Sequence, residues 1–115
     1  MTDELFLMRG DLPYYRMKFL EEYPGYGRGL LQLYVVEAFE EHLQRYGGRV
    51  SVDDAYTWIM DNLEEWVHGQ SLCTYRCKWR RLFEWICKEH GLTFHEPRGD
   101  DEIVIHYHLD KGVLP

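Results

Sequence analysis

Apolar residues recur every three to four positions through most of this chain, which is the spacing of helices that bury one face. The pattern predicts four helices, at 12–23, 28–46, 52–68 and 72–90. Signals at the helix ends support these limits: Pro13 lies in the first turn of the first helix, Ser51 precedes the third, and glycines follow the second and fourth. The chain is therefore predicted to be mainly α-helical.

The apolar faces of these helices predict the core. The last helix contains the stretch TYRCKWRRLFEWI (74–86), in which large apolar side chains gather on one side of a helical wheel and the cations lie mostly outside that arc. The second and third helices have similar apolar stripes. We expect six of these residues to be largely buried, namely Phe39, Ile59, Leu63, Leu82, Phe83 and Ile86.

Two short segments have the composition of β-strands. They are ELFLM (4–8) and EIVIHYHL (102–109), the second rich in β-branched residues that alternate with polar ones. Because a lone strand is unstable, the two are predicted to pair as a ribbon. The expected fold is thus one domain over residues 1–115, a four-helix bundle with a small terminal β-ribbon.

The charge of the chain is strongly acidic and unevenly distributed. Asp and Glu number 20 against 13 Lys and Arg, and the formal net charge is −7. Only the segment 71–92 has an excess of basic residues. Such a chain repels a polyanion like DNA unless the fold separates the two signs onto different faces.

Several features point to the cytoplasm. No run of about 18 apolar residues could span a bilayer, and the N-terminus carries acidic residues where a signal peptide has basic ones. The three cysteines, Cys73, Cys77 and Cys87, are odd in number, which favours reduced thiols over a disulfide framework. We therefore expect a cytoplasmic protein that binds no membrane.

Evidence for catalysis is weak in this sequence. There is no nucleophile-elbow, P-loop or zinc-protease motif. The adjacent glutamates at 40–41 and 64–65 diverge on a helix, which suits a solvated surface better than a pair of catalytic carboxylates. The protein is predicted not to be an enzyme and to need no cofactor. Metal binding is left open for His106 and His108, which would share one side of a strand.

Two groups of charged residues are candidate binding sites. The acidic group lies on the second and third helices and consists of Glu37, Glu40, Glu41, Asp61, Glu64 and Glu65. The basic group lies on the last helix and consists of Arg76, Lys78, Arg80, Arg81 and Lys88, which could contact phosphates. Trp58 falls outside the apolar arc of the third helix. It is therefore either an exposed anchor within the acidic group or packed under the first helix or the ribbon.

A family resemblance is carried by three segments between residues 30 and 92. In chain order they are FEEHLQRYGG, VSVDDAYTWIMDNL and SLCTYRCKWRRLFEWICKEHGL. Their helix order and hydrophobic pattern resemble the N-terminal core-binding (SAM-like) domain of phage-type tyrosine recombinases. The resemblance implies a SAM-like bundle and a mobile-element origin. The catalytic domain of that family has no counterpart in these residues, so recombination activity is not implied.

Charge decides the order of two functional interpretations, because the acidic group is larger than the basic one. The first is a non-enzymatic module of phage or mobile-element type. Its acidic helices would imitate a nucleic-acid backbone and bind, or inhibit, a basic nucleic-acid-binding host protein. The alternative is a small DNA-binding module that contacts phosphates through the basic face of the helix at 71–90. The identity of the partner and the oligomeric state are left open.

Overall fold

The computed structural model describes residues 5–27, 33–67 and 70–96. Its elements, in chain order, are β1 (Phe6–Met8), α1 (Asp11–Glu22), a 3-10 turn (Pro24–Gly27), α2 (Leu33–Arg45), β2 (Arg49–Ser51), α3 (Val52–Trp66) and α4 (Gln70–Glu89). The prediction of four helices is confirmed, and their limits agree within a few residues wherever the structure describes them. None of the helices in the described part of the chain is both long and apolar enough to cross a membrane.

A two-stranded antiparallel ribbon accompanies the helices, as the sequence predicted. Strand β1 pairs with β2, so that Phe6 lies opposite Ser51 and Met8 opposite Arg49. The guanidinium of Arg49 also lies 3.9 Å from the centre of the Phe6 ring, a favourable cation–π contact. The sequence pattern predicted that the N-terminal strand pairs with residues 102–109. Those residues lie outside the described residues. Within the described residues, the partner is the short segment that leads into α3.

The ends of the helices are closed by the residues that the sequence indicated. The Ser51 hydroxyl accepts a hydrogen bond of 3.1 Å from the backbone N–H of Asp54, which caps the N-terminus of α3. Gly91 follows α4 in the left-handed region, with φ of 72°. This conformation lets the N–H of Leu92 donate to the carbonyl of Cys87 at 2.9 Å, a Schellman closure.

The core lies where α3 packs against α2 and α4, and where α1 closes over α2 and α4. All six residues predicted to be buried are fully buried, so the predicted helix faces are confirmed. The Phe83 ring meets the Tyr56 ring edge to face, with centroids 5.5 Å apart. Within the described ranges, the fully buried side chains are Leu7, Leu12, Val35, Phe39, Leu43, Ala55, Tyr56, Ile59, Met60, Leu63, Trp79, Leu82, Phe83 and Ile86.

Candidate interaction surface

Helices α2 and α3 meet along a row of rings that reaches the protein surface. Tyr34 lies beside Trp66, with ring centroids 5.3 Å apart. About two turns further along α2, His42 stacks on Trp58 at 4.7 Å with the ring planes inclined by 26°. Because α2 positions 34 and 42 meet α3 positions 66 and 58, the two helices run antiparallel. We call these four residues the aromatic seam.

Four of the predicted acidic residues flank the aromatic seam. On α2, helical spacing puts Glu37 and Glu41 beside Tyr34 on the outer side of the helix. On α3, the same spacing puts Asp61 and Glu65 beside Trp58. All four side chains are exposed. We call Glu37, Glu41, Asp61 and Glu65 the acidic surface.

Glu40 belongs to a different side of α2 from its neighbour Glu41. Its Oε1 accepts a 2.8 Å hydrogen bond from the backbone N–H of Gly10, in the turn between β1 and α1. Gly10 has φ of 90°, a conformation that glycine adopts without strain. The half-buried carboxylate of Glu40 therefore holds this turn in place and, contrary to what its charge alone predicted, does not belong to an exposed acidic face.

Glu64 also lies apart from the acidic surface, on the side of α3 that faces α4. Its carboxylate forms an ion pair with the guanidinium of Arg76. The side chain of Arg76 is only 3% exposed and that of Glu64 is 41% exposed. This contact removes one residue from each of the two predicted groups, because Arg76 is buried against α3 and does not present its charge at the surface.

Trp58 is half-buried, and it contacts α2. Its ring packs against His42 and also lies 5.7 Å from the ring of Phe39. The sequence allowed two positions for Trp58, an exposed anchor or a place under the first helix or the ribbon, and the contacts with α2 correspond to neither. Burial, followed by the nearby charge of Arg45, lowers the pKa of His42, so the stacked imidazole is neutral at pH 7.

The basic residues of α4 separate into two sets. Arg80, like Arg76, is held by carboxylates: it contacts Glu84 at 2.9 Å and Glu96 at 2.6 Å. The remaining three, Lys78, Arg81 and Lys88, recur three and seven positions apart and so share one side of the helix. We call these three residues the basic surface.

The 3-10 turn contributes a ring to the basic surface. The Lys78 ammonium lies 4.3 Å from the centre of the Tyr26 ring, and Arg81 Nη1 donates to the Tyr26 hydroxyl at 3.1 Å. Nothing in the sequence around Tyr26 indicates these two contacts. Its position 55 residues before Arg81 explains why no local pattern could have paired the two.

The cysteines and histidines take different positions. Cys73 and Cys77 are half-buried, Cys87 is buried, and no disulfide joins any of the three. Burial, with smaller contributions from Asp53 and Glu84, raises the pKa of Cys87 to about 11, so its thiol stays protonated at neutral pH. His106 and His108 lie outside the described residues.

Neither a scan against protein-family models nor searches of curated proteins and of solved structures found a match for this chain. The resemblance to recombinase core-binding domains stays a prediction.

Proposed function

We propose that this protein is a non-enzymatic interaction module whose acidic surface binds a basic, nucleic-acid-binding protein. The observation that carries the proposal is the arrangement of four exposed carboxylates, Glu37, Glu41, Asp61 and Glu65, on both sides of the aromatic seam. The carboxylates and the rings together offer complementary partners to lysine and arginine. The expected setting is the cytoplasm of a cell that hosts a phage or another mobile element.

The chemistry of the surface supports a cationic partner. The acidic surface carries one row of negative charge on each of two neighbouring helices. A basic groove on another protein would meet an electrostatic field there that is similar to the field along a nucleic-acid backbone. Between the rows, Tyr34 and Trp66 are exposed, and aromatic faces attract guanidinium groups. Exposed aromatic residues are also the usual anchors of protein interfaces. Occupation of a basic groove by this surface would exclude nucleic acid and inhibit the partner.

A second candidate function, DNA binding through α4, is favoured by one observation. Lys78, Arg81 and Lys88 share one side of the helix, and Tyr26 holds two of them in place. Three phosphate contacts are few, however, and carboxylates hold the other two predicted cations, Arg76 and Arg80. With a formal net charge of −7, long-range repulsion also opposes the approach of DNA. We therefore rank protein binding first.

Capture from host-cell lysate tests the proposal when matched charge reversals are compared. The test variant is Glu41→Lys with Glu65→Lys, on the acidic surface. The control variant is Glu21→Lys with Glu89→Lys, on α1 and α4, where both positions are also exposed. The two variants change the net charge equally. Lysine near the C-terminus of a helix is compatible with the helix dipole, so the control should fold.

The expected result has three parts. The natural protein and the control capture a basic nucleic-acid-binding protein, duplex DNA competes with that capture, and the test variant does not capture it. Equal capture by the test variant would contradict the proposal. Equal loss in both variants would show that net charge, and not this surface, governs the interaction.

A further inference from the structure

A groove of about 600 Å³ lies between α1 and α4, away from the acidic surface. Its walls include Tyr14 and Tyr15 from α1 and Trp85 from α4. The Tyr14 and Tyr15 rings lie 5.5 Å apart at 68°, and the Tyr15 and Trp85 rings lie 6.3 Å apart at 76°. The two pairs of rings meet edge to face and line the groove, whose volume is in the range of small-molecule sites.

Hydrogen bonds hold two of these rings in position. The Tyr15 hydroxyl lies 2.6 Å from His90 Nε2, and the indole N–H of Trp85 donates to Glu22 Oε1 at 2.8 Å. Both bonds cross the groove from α1, one to Trp85 on α4 and the other to His90, which directly follows α4. A ligand that enters would therefore meet rings that are already ordered, which reduces the entropy cost of binding.

The charges around the groove select for cations. Glu21 and Glu22 contribute carboxylates from α1, and Glu89 contributes one from α4. The only ammonium group of the lining is that of Lys18, which lies 3.9 Å from the Glu21 carboxylate and 5.8 Å from the centre of the Tyr14 ring. At the edge of the groove, the ammonium group of Lys18 therefore lies near both a ring and a carboxylate. Further along the groove, the carboxylates of Glu22 and Glu89 would attract another ammonium group in the same way.

We propose that this groove binds a small aliphatic polyamine. The alkyl segments would lie against Tyr15 and Trp85, and separate ammonium groups would reach the carboxylates of Glu22 and Glu89. Because the two carboxylates come from different helices, a ligand with several ammonium groups matches them better than a single lysine side chain does. This site is independent of the acidic surface on α2 and α3.

Nuclear magnetic resonance of the indole N–H groups tests this assignment. The probe is spermidine, added at about 0.15 M salt so that non-specific attraction is screened. The Trp85 signal should shift and saturate, whereas the signals of Trp58, Trp66 and Trp79 should stay in place. Shifts of all four signals together, or a Trp85 shift that never saturates, would overturn the proposal.

Two further ligands test whether binding needs several ammonium groups or only one. Capped lysine carries one ammonium group, and capped norleucine is its neutral analogue. Norleucine should leave the Trp85 signal unchanged, and capped lysine should bind more weakly than spermidine. If capped lysine saturates the signal at the same concentration as spermidine, one ammonium group is sufficient and the polyamine assignment is wrong.

Paired variants separate charge recognition from folding. Glu22→Gln with Glu89→Gln removes two charges but retains an acceptor for the Trp85 indole, and we expect spermidine affinity to fall at least about tenfold. The control, Asp53→Asn with Asp54→Asn, removes two exposed charges at the start of α3 and should leave the affinity unchanged. Equal effects in the two variants would overturn the site. Lys18→Gln should strengthen binding because it removes a competing cation.

Discussion

The guanidinium of Arg76 is buried between α3 and α4 and forms an ion pair with the carboxylate of Glu64. The contact joins two residues that the charge pattern assigned to opposite functions, one to phosphate binding and one to an acidic surface. A cation that is 3% exposed cannot meet a DNA phosphate unless the helices separate. Arg76 therefore contributes to the structure of the bundle.

This ion pair makes a stability prediction. Glu64→Ala leaves a buried guanidinium without its carboxylate, and we expect the free energy of unfolding to fall by about 1.5–3 kcal/mol. The matched control is Glu65→Ala, at the next position, where an exposed carboxylate is removed and the change should stay within about 0.5 kcal/mol. Urea unfolding measures both. Equal effects of the two substitutions would contradict the structural role of the pair.

The core makes a second prediction, at Phe83. Its fully buried ring contacts Tyr56 edge to face, so Phe83→Ala should lower the free energy of unfolding by about 3–5 kcal/mol through lost burial and a cavity. Tyr46→Ala removes a ring that is largely exposed, and it should cost much less. An unchanged melting temperature for Phe83→Ala would show that the assigned face of α4 is wrong.

Two glycines give a matched test of backbone conformation. Gly91 has φ of 72°, where a side chain is strained, so Gly91→Ala should cost about 1–2 kcal/mol. Gly25 lacks a positive φ and has open space where a Cβ would stand, so Gly25→Ala should range from no effect to a gain of about 1 kcal/mol. Chemical denaturation of both variants checks the difference. A Gly91→Ala variant as stable as Gly25→Ala would argue against the closure of α4 by Gly91.

The buried thiol predicts how stability depends on pH in the alkaline range. Burial raises the pKa of Cys87 from its ordinary value of 9.0 to about 11. Between these pH values the unfolded chain loses the thiol proton while the folded chain keeps it. The contribution of the protonated thiol to the free energy of unfolding is therefore fully present below pH 9 and falls as the pH rises toward 11. Cys87→Ala should make the decline shallower in urea unfolding across this range. An identical slope in both proteins would contradict the burial of the thiol.

Much of the fold could be predicted because the helices bury one face each. The apolar stripes of α2, α3 and α4 identified core residues such as Phe39, Ile59 and Phe83 correctly. Strand β2 was missed because three residues, Arg49–Ser51, are too few to show an alternating pattern. Its conformation depends on the approach of β1, which is a tertiary contact.

For the candidate site, the sequence predicted which acidic side chains are exposed but not which other residues they contact. Helical spacing indicated correctly that Glu37, Glu41, Asp61 and Glu65 face solvent. The same spacing could not show that Glu40 meets Gly10, 30 residues earlier, or that Glu64 meets Arg76, 12 residues later. Whether a surface carboxylate is available to a partner depends on side chains that come from distant parts of the chain.

The most direct test of the proposed function is to map where the captured basic protein binds. Nuclear magnetic resonance reports this through the indole signals, since Trp58 and Trp66 lie in the aromatic seam and Trp85 lies on the α1–α4 side. We predict that the partner shifts the Trp58 and Trp66 signals and leaves the Trp85 signal in place. Unshifted Trp58 and Trp66 signals, with changes in the backbone amide signals of Lys78, Arg81 and Tyr26, would contradict the proposal and make α4 the functional helix.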